Sequence, residues 1–156
     1  MKNFIIIIIL INICTFSIGY AANNTGIGIV IGDPTGLSFK HNISARNSID
    51  AALSWSDSIP ILLHGDYLWN RTKLFTLDNT PIDSFFGIGA RLRDHEKKKN
   101  AEDNDGWQLG ARMPGGIRYL FNDPRVEVFT ELALIMNLIP SITVDFDFGI
   151  GARFFF

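Results

Sequence analysis

The chain has 156 residues, room for one domain rather than two. Fourteen basic residues against sixteen acidic ones give a formal net charge of −2, so no cationic excess exists to hold a nucleic-acid backbone, and nucleic acid is not an expected partner. With 47% apolar and 19% charged residues the chain is not of disordered composition, and its single cysteine excludes an intrachain disulfide framework and a multi-cysteine zinc site.

Residues 1–22 read as a secretory signal peptide. Met1-Lys2-Asn3 is a short positive start, Phe4 to Ile13 is almost wholly apolar, and the small residues Ser17, Gly19, Ala21 and Ala22 follow. Cleavage is expected after Ala21 or Ala22. An uncleaved anchor is the weaker alternative, because about 10–14 apolar residues span a bilayer poorly. Cys14 is a poor lipoprotein cysteine: Ile13 precedes it where a small residue is needed, and it lies inside the apolar run. Removal of the signal leaves residues 23–156 as one cysteine-free domain.

That domain reads as strand after strand. No stretch sustains a helical apolar period, whereas period-two alternation recurs between turn residues. Strands are expected at 25–32, 36–42, 48–55, 61–70, 84–92, 107–121, 126–136 and 142–156. Asp33-Pro34-Thr35-Gly36, Asn122-Asp123-Pro124 and Leu138-Ile139-Pro140 supply turn chemistry between them. The stretch from Asp94 to Asp105, with Lys97-Lys98-Lys99, reads as a charged, solvated loop. The stretch 70–83 reads as another connection.

The last strand separates a soluble sandwich from a membrane barrel. One face carries Val144, Phe146, Phe148, Ile150, Ala152, Phe154 and Phe156; the other carries Asp145, Asp147, Gly149, Gly151, Arg153 and Phe155. A long unbroken apolar face opposite glycines and charges of both signs repeats in other strands. Val126, Val128, Thr130, Leu132 and Leu134 oppose Glu127, Phe129, Glu131 and Ala133. Leu109, Ala111, Met113 and Ile117 oppose Gln108, Gly110, Arg112 and Arg118, provided that Pro114-Gly115-Gly116 introduces no bulge. Strands of about ten residues, apolar outside and polar inside, are what a membrane-spanning barrel needs. Lipid cannot hydrogen-bond a strand edge, so the sheet must close.

The expected fold is therefore all-β: a single closed antiparallel eight-stranded transmembrane β-barrel, preceded by a signal peptide. If the first strand runs outward, Trp55 and Trp107 lie at the outer ends of their strands. Tyr67, Trp69, Tyr119, Phe121, Phe154 and Phe156 lie near the inner ends. These aromatics would form the girdles at the two membrane interfaces. Parity turns Lys40, Arg91, Arg112, Arg118 and Arg153 inward together with Asp50, Asp66, Glu127, Glu131, Asp145 and Asp147. An eight-stranded barrel has room only for its own side chains or one small ligand. Buried charges need partners, so an ion-pair network that plugs the lumen is expected.

Little in the sequence points to catalysis. His64 and Asp66 are two apart and share the inward face, an acid–base or metal pair for which the sequence specifies no third ligand. The pairs Glu127/Glu131 and Asp145/Asp147 lie among arginines with no cleft implied for glycoside chemistry. Lipid A deacylase barrels carry a His and a Ser two apart; His41, His64 and His95 are followed at that spacing by Ile43, Asp66 and Lys97. Gly26-Ile27-Gly28 precedes no helix and is not a nucleotide fingerprint. The expectation is a non-enzymatic chain with no cofactor and no metal. The alternatives are an envelope lipid-modifying enzyme and a soluble, lipocalin-like carrier of an apolar ligand.

Several segments together bear a family likeness. They are residues 26–40, 63–69, 86–92, 110–121 and 128–133, and the Gly-Ile-Gly-Ala-Arg-Phe-Phe-Phe end at 149–156. The chain resembles small bacterial outer-membrane barrel proteins, including an uncharacterised spirochaetal family, of the kind seen in the transmembrane part of OmpA and in OmpX. The end, with Phe148, Ile150, Phe154 and Phe156, resembles the insertion signal that barrel-insertion machinery reads in such proteins. The likeness implies a monomer in the bacterial outer membrane, surrounded by lipid, with a structural or surface-interaction role. Outer loops of such proteins can meet a host protein or another envelope partner; here loop 93–106 is the expected contact surface because of its mixed charges. The likeness supplies no catalytic residues.

Overall fold

In the computed structural model the described residues are 24–33, 35–55, 61–77, 80–95 and 106–156. The expected signal peptide, and the central part of the 93–106 loop, lie outside them. Eight antiparallel strands follow one another: β1 (Thr25–Asp33), β2 (Gly36–Asn42), β3 (Asn47–Ser54), β4 (Leu62–Leu77), β5 (Thr80–His95), β6 (Gly106–Leu120), β7 (Val126–Ile139) and β8 (Thr143–Phe155). Each pairs with its neighbours in sequence, and β8 pairs back onto β1, so the sheet is a closed barrel. The closing seam runs from Gly26 opposite Phe155 to Asp33 opposite Phe148. Both ends of the strand array, at Thr25 and Phe155, fall at one rim, the terminal rim.

Two expectations about strand limits are corrected. The stretch 70–83 is a hairpin rather than a long connection, because β4 continues to Leu77 and β5 begins at Thr80. Phe75 pairs with Ile82 and Leu77 with Thr80 after a register shift between Arg71 and Phe75. The shift breaks the alternation that reveals a strand in sequence, and Pro81 reads there as a turn residue. The strand β7 runs on to Ile139 rather than stopping at 136; a second irregularity, opposite Leu109 and Gly110, absorbs the extra residue. Pro114, by contrast, leaves the register unbroken: Met113 pairs with Leu134 and Gly115 with Leu132.

Alternation sorts the side chains into two sets. The outer surface is apolar along whole strands, from Ile27, Ile29 and Ile31 on β1 to Phe146, Phe148, Ile150 and Phe154 on β8, with Phe146 66% exposed. The interior is filled by charged and polar groups and by a smaller apolar cluster of Val30, Ala52, Leu68, Phe85 and Phe129.

Three inward phenylalanines share one arrangement. Phe85 stands directly across from Gly116, Phe129 from Gly151 and Phe155 from Gly26. Each ring lies over its glycine, so close that a Cβ there would stand 2.4–2.8 Å from ring carbons. The missing side chain on one strand makes room for the aromatic on the next, the pairing by which aromatics protect glycines in curved sheets. Each ring also faces a cation: Lys40 at 5.6 Å from the Phe85 centroid, Arg153 at 3.9 Å from Phe129 and Arg125 at 6.0 Å from Phe155. The rings therefore link the backbone of the wall to the charges of the interior.

Replacing Gly151 with leucine is expected to displace the Phe129 ring and to lower the unfolding free energy of the refolded barrel by about 1–3 kcal/mol, the usual cost of overpacking. Urea titration of the refolded chain measures it. A matching Gly65→Leu change, where nothing lies within 4 Å of an added Cβ, should have a smaller effect.

Candidate functional site: a charged lumen

The interior is built from positions that alternate with the apolar outer face on β2 to β8. Lys40 and Asp50 are cross-strand neighbours, as are Asp50 and Asp66, so β2, β3 and β4 lay three ionisable groups side by side. Arg153 and Glu127 face each other between β8 and β7.

The group nearest the terminal rim centres on Glu127, which is 1% exposed. Lys40 Nζ donates to both of its carboxylate oxygens, at 3.1 and 3.0 Å. Arg153 Nη1 donates to Oε1 at 2.9 Å and Arg118 Nη1 to Oε2 at 3.0 Å. Arg153 also reaches Asp50 at 2.5 Å and donates from Nε to Ser38 Oγ at 2.8 Å. Arg118 extends to Asp83 at 3.6 Å. Above the group a vestibule of about 400 Å³ opens at the terminal rim, lined by Asn42, Ser44, Arg118, Arg125, Glu127 and Phe155 among others.

At mid-height the guanidinium of Arg112 donates to Asp66 and to Glu131 and lies 3.7 Å from Asp147. Nearer the opposite rim Arg91 donates to Asp147 and Asp145, both at 2.7 Å, and to Asn137 Oδ1 at 3.1 Å. Asn137 Nδ2 in turn donates to Asp145 at 2.8 Å and to Thr143 at 2.9 Å. Asp145 is the shallowest of these carboxylates, with a side chain 38% exposed. Glutamate 127 thus serves three cations, whereas Arg112 serves three carboxylates: the charges are shared rather than paired one to one.

His64 sits beside Asp66, with Nε2 3.9 Å from Oδ2. Asp50 stands across from Asp66 on β3, a third neighbour that sequence spacing does not show, because it is brought to His64 only by the β3–β4 register. The inward face of Phe129 and Phe155 is legible from parity, but the glycine that each covers is not, since an apolar residue at a lumen position carries no sign of its cross-strand neighbour.

The aromatics fall into two groups. Trp55 and Trp107, 58% and 49% exposed, lie at the rim opposite the termini. Tyr67 packs edge-on against Trp69 at 5.3 Å, Trp69 stacks on Phe86 at 5.5 Å, and Tyr119 meets Phe121 edge-on at 4.5 Å. Trp69 pairs with Asn47, the first residue of β3, which sets it at the level of the terminal rim although β4 continues beyond it. Phe148, Ile150, Phe154 and Phe156 all point outward and are exposed.

These features define a small eight-stranded antiparallel barrel with an ion-paired interior and an apolar exterior. No family model matches the sequence, and no curated protein matches it. Among solved structures, the N-terminal β-barrel domain of OprF from Pseudomonas aeruginosa is similar in fold, with a TM-score of 0.62 over 85% of this chain and 96% of that one, at 12% identity. The likeness shows the fold, an eight-stranded β-barrel, alone; it does not reach to the spirochaetal family.

Removing the shared acceptor is the severe change. Glu127→Ala takes from Lys40 its carboxylate acceptor, leaves Arg118 and Arg153 with only Asp83 and Asp50 as carboxylate partners among the described residues, and is expected to cost about 3–5 kcal/mol, as breaking a buried ion pair does. Asp145→Asn, at the exposed rim, should cost no more than about 1 kcal/mol. Equilibrium unfolding of both variants in the same detergent checks the order.

Proposed function

We propose that the chain is a non-enzymatic outer-membrane barrel whose lumen is plugged by its own ion pairs, and which acts as a structural or surface-interaction protein. One observation carries this reading: a closed barrel presents a continuous apolar exterior while its charges are buried inside in a shared network of ion pairs. Such an exterior is costly in water and suited to lipid. Closure leaves no strand edge to be satisfied, and the aromatics at the two rims match the heights of two interfaces.

In this reading the terminal rim faces the periplasm, the last strand with Phe148, Ile150, Phe154 and Phe156 is presented to the insertion machinery, and the loops between β3 and β4, β5 and β6, and β7 and β8 face outward. Residues 93–106 form the expected contact surface for a host or envelope partner. An apolar-ligand carrier would need an apolar interior. Arg91, Arg112, Lys40 and Glu127, all 2% exposed or less, occupy that space, so the carrier reading is set aside.

The decisive measurement is gel mobility of chain 23–156 refolded in detergent, unheated against boiled. A heat-dependent shift is expected. A chain that is folded and soluble in plain buffer, with no shift, overturns the reading. In planar bilayers the barrel should give no porin-like conductance, and a large steady single-channel current would contradict the plug. Deleting the 96–105 segment should leave the mobility shift intact and abolish adhesion to a host matrix; unchanged adhesion would remove that loop from the proposal.

A further inference from the structure

The least satisfied part of the interior is the wall around His64. One ligand atom from each of Asp50, His64 and Asp66 lies within 4.8 Å of the other two, and all three side chains are buried. His64 is 5% exposed, yet its Nδ1 makes no hydrogen bond among the described residues, and neither does Oδ1 of Asp66, whose Oδ2 lies 3.9 Å from His64 Nε2. Buried imidazole nitrogens and carboxylate oxygens ordinarily find a partner, and one left bare calls for a reason.

The surrounding charge has a direction. Within the ion pairs of this half of the lumen, Asp66, Glu131, Asp145 and Asp147 share two guanidiniums, those of Arg112 and Arg91. Arg93, beside Asp145 at the rim, offsets part of the excess. The half centred on Glu127 has no such excess, since one carboxylate there accepts from Lys40, Arg118 and Arg153. Arg91 stands across from His64 between β4 and β5, yet both guanidiniums of this half are already shared among the four carboxylates, so an added cation, not an anion, would offset the excess.

We propose that Asp50, His64 and Asp66 bind one divalent transition-metal ion, of the class of Zn²⁺, inside the barrel. One imidazole nitrogen and two carboxylate oxygens are a donor set suited to Zn²⁺, Co²⁺ or Mn²⁺. Around a tetrahedral ion with bonds of about 2.0–2.2 Å, ligand atoms stand roughly 3.3 Å apart. The present spacing, up to 4.8 Å, has to close to that by side-chain rotation, starting from a β3–β4 register that holds Asp50 opposite Asp66 and Ala52 opposite His64. The arginines act as outer partners: Arg112 bonds Asp66 through Oδ2 and Arg153 pairs with Asp50, which leaves Asp66 Oδ1 without a hydrogen bond among the described residues. Ala52, small and inward, adds no bulk beside the imidazole.

Calorimetric titration of the untagged, refolded chain with ZnCl₂, in a detergent buffer without chelator, tests the site. One Zn²⁺ per chain is expected, together with a rise in the thermal midpoint that EDTA reverses and visible absorption when CoCl₂ is used instead. His64 bears no strong ion pair, so His64→Gln should refold, as its heat-dependent mobility will show, and should weaken Zn²⁺ binding roughly tenfold or more, at least the cost of losing an outer-shell partner. His41→Gln, on the exposed face, should leave binding unchanged. Refolding in the presence of ZnCl₂ separates a closed entry path from a missing site. No stoichiometric uptake under either protocol, or equal affinity in the His64→Gln chain, overturns the proposal.

Discussion

The structure depends on the pairing of β1 with β8. Once Gly26 to Asp33 lies against Phe155 to Phe148, no strand has a free edge, and the wall satisfies its backbone donors and acceptors internally. Closure also removes any choice about side chains. Each residue must face either the outside or a narrow interior, and a slip of one residue in any strand would exchange the two sets. The apolar exterior and the charged interior are two consequences of one constraint.

A narrow interior full of ionised groups has its own requirement. Each charge taken from water must regain its solvation from a neighbour. The network meets this by sharing: Glu127 gathers three cations from β2, β6 and β8, and Arg112 on β6 gathers carboxylates from β4, β7 and β8. Three of these links, Lys40–Glu127, Arg112–Asp66 and Arg112–Asp147, join strands that are not adjacent in the sheet, so the contents of the barrel brace the wall from inside. The phenylalanine–glycine pairs tie the two systems together, with each ring resting on backbone and meeting a cation.

Much of this was legible beforehand because a strand's period is short and strict. Eight strands and the inward direction of their charged residues were expected from alternation, which is clearest in β8. Alternation failed where a bulge shifts its phase. The hairpin of β4 and β5 beyond Asn70 looked like a loop because the register changes between Arg71 and Phe75, and periodicity carries no information across such a shift. Pro114 was the reverse case: a residue that often interrupts a strand sits within an unbroken register.

By itself the sequence determined which side chains point inward, since parity is a local property of each strand and needs no knowledge of its neighbours. Only the tertiary structure decided which of them meet. Whether Lys40 finds Glu127, whether Phe129 covers Gly151, and whether Asp50 joins His64 and Asp66 depend on the stagger between strands and on the reach of side chains across the lumen. Those relations link residues far apart in the chain, and a pattern that repeats every two residues holds no record of them.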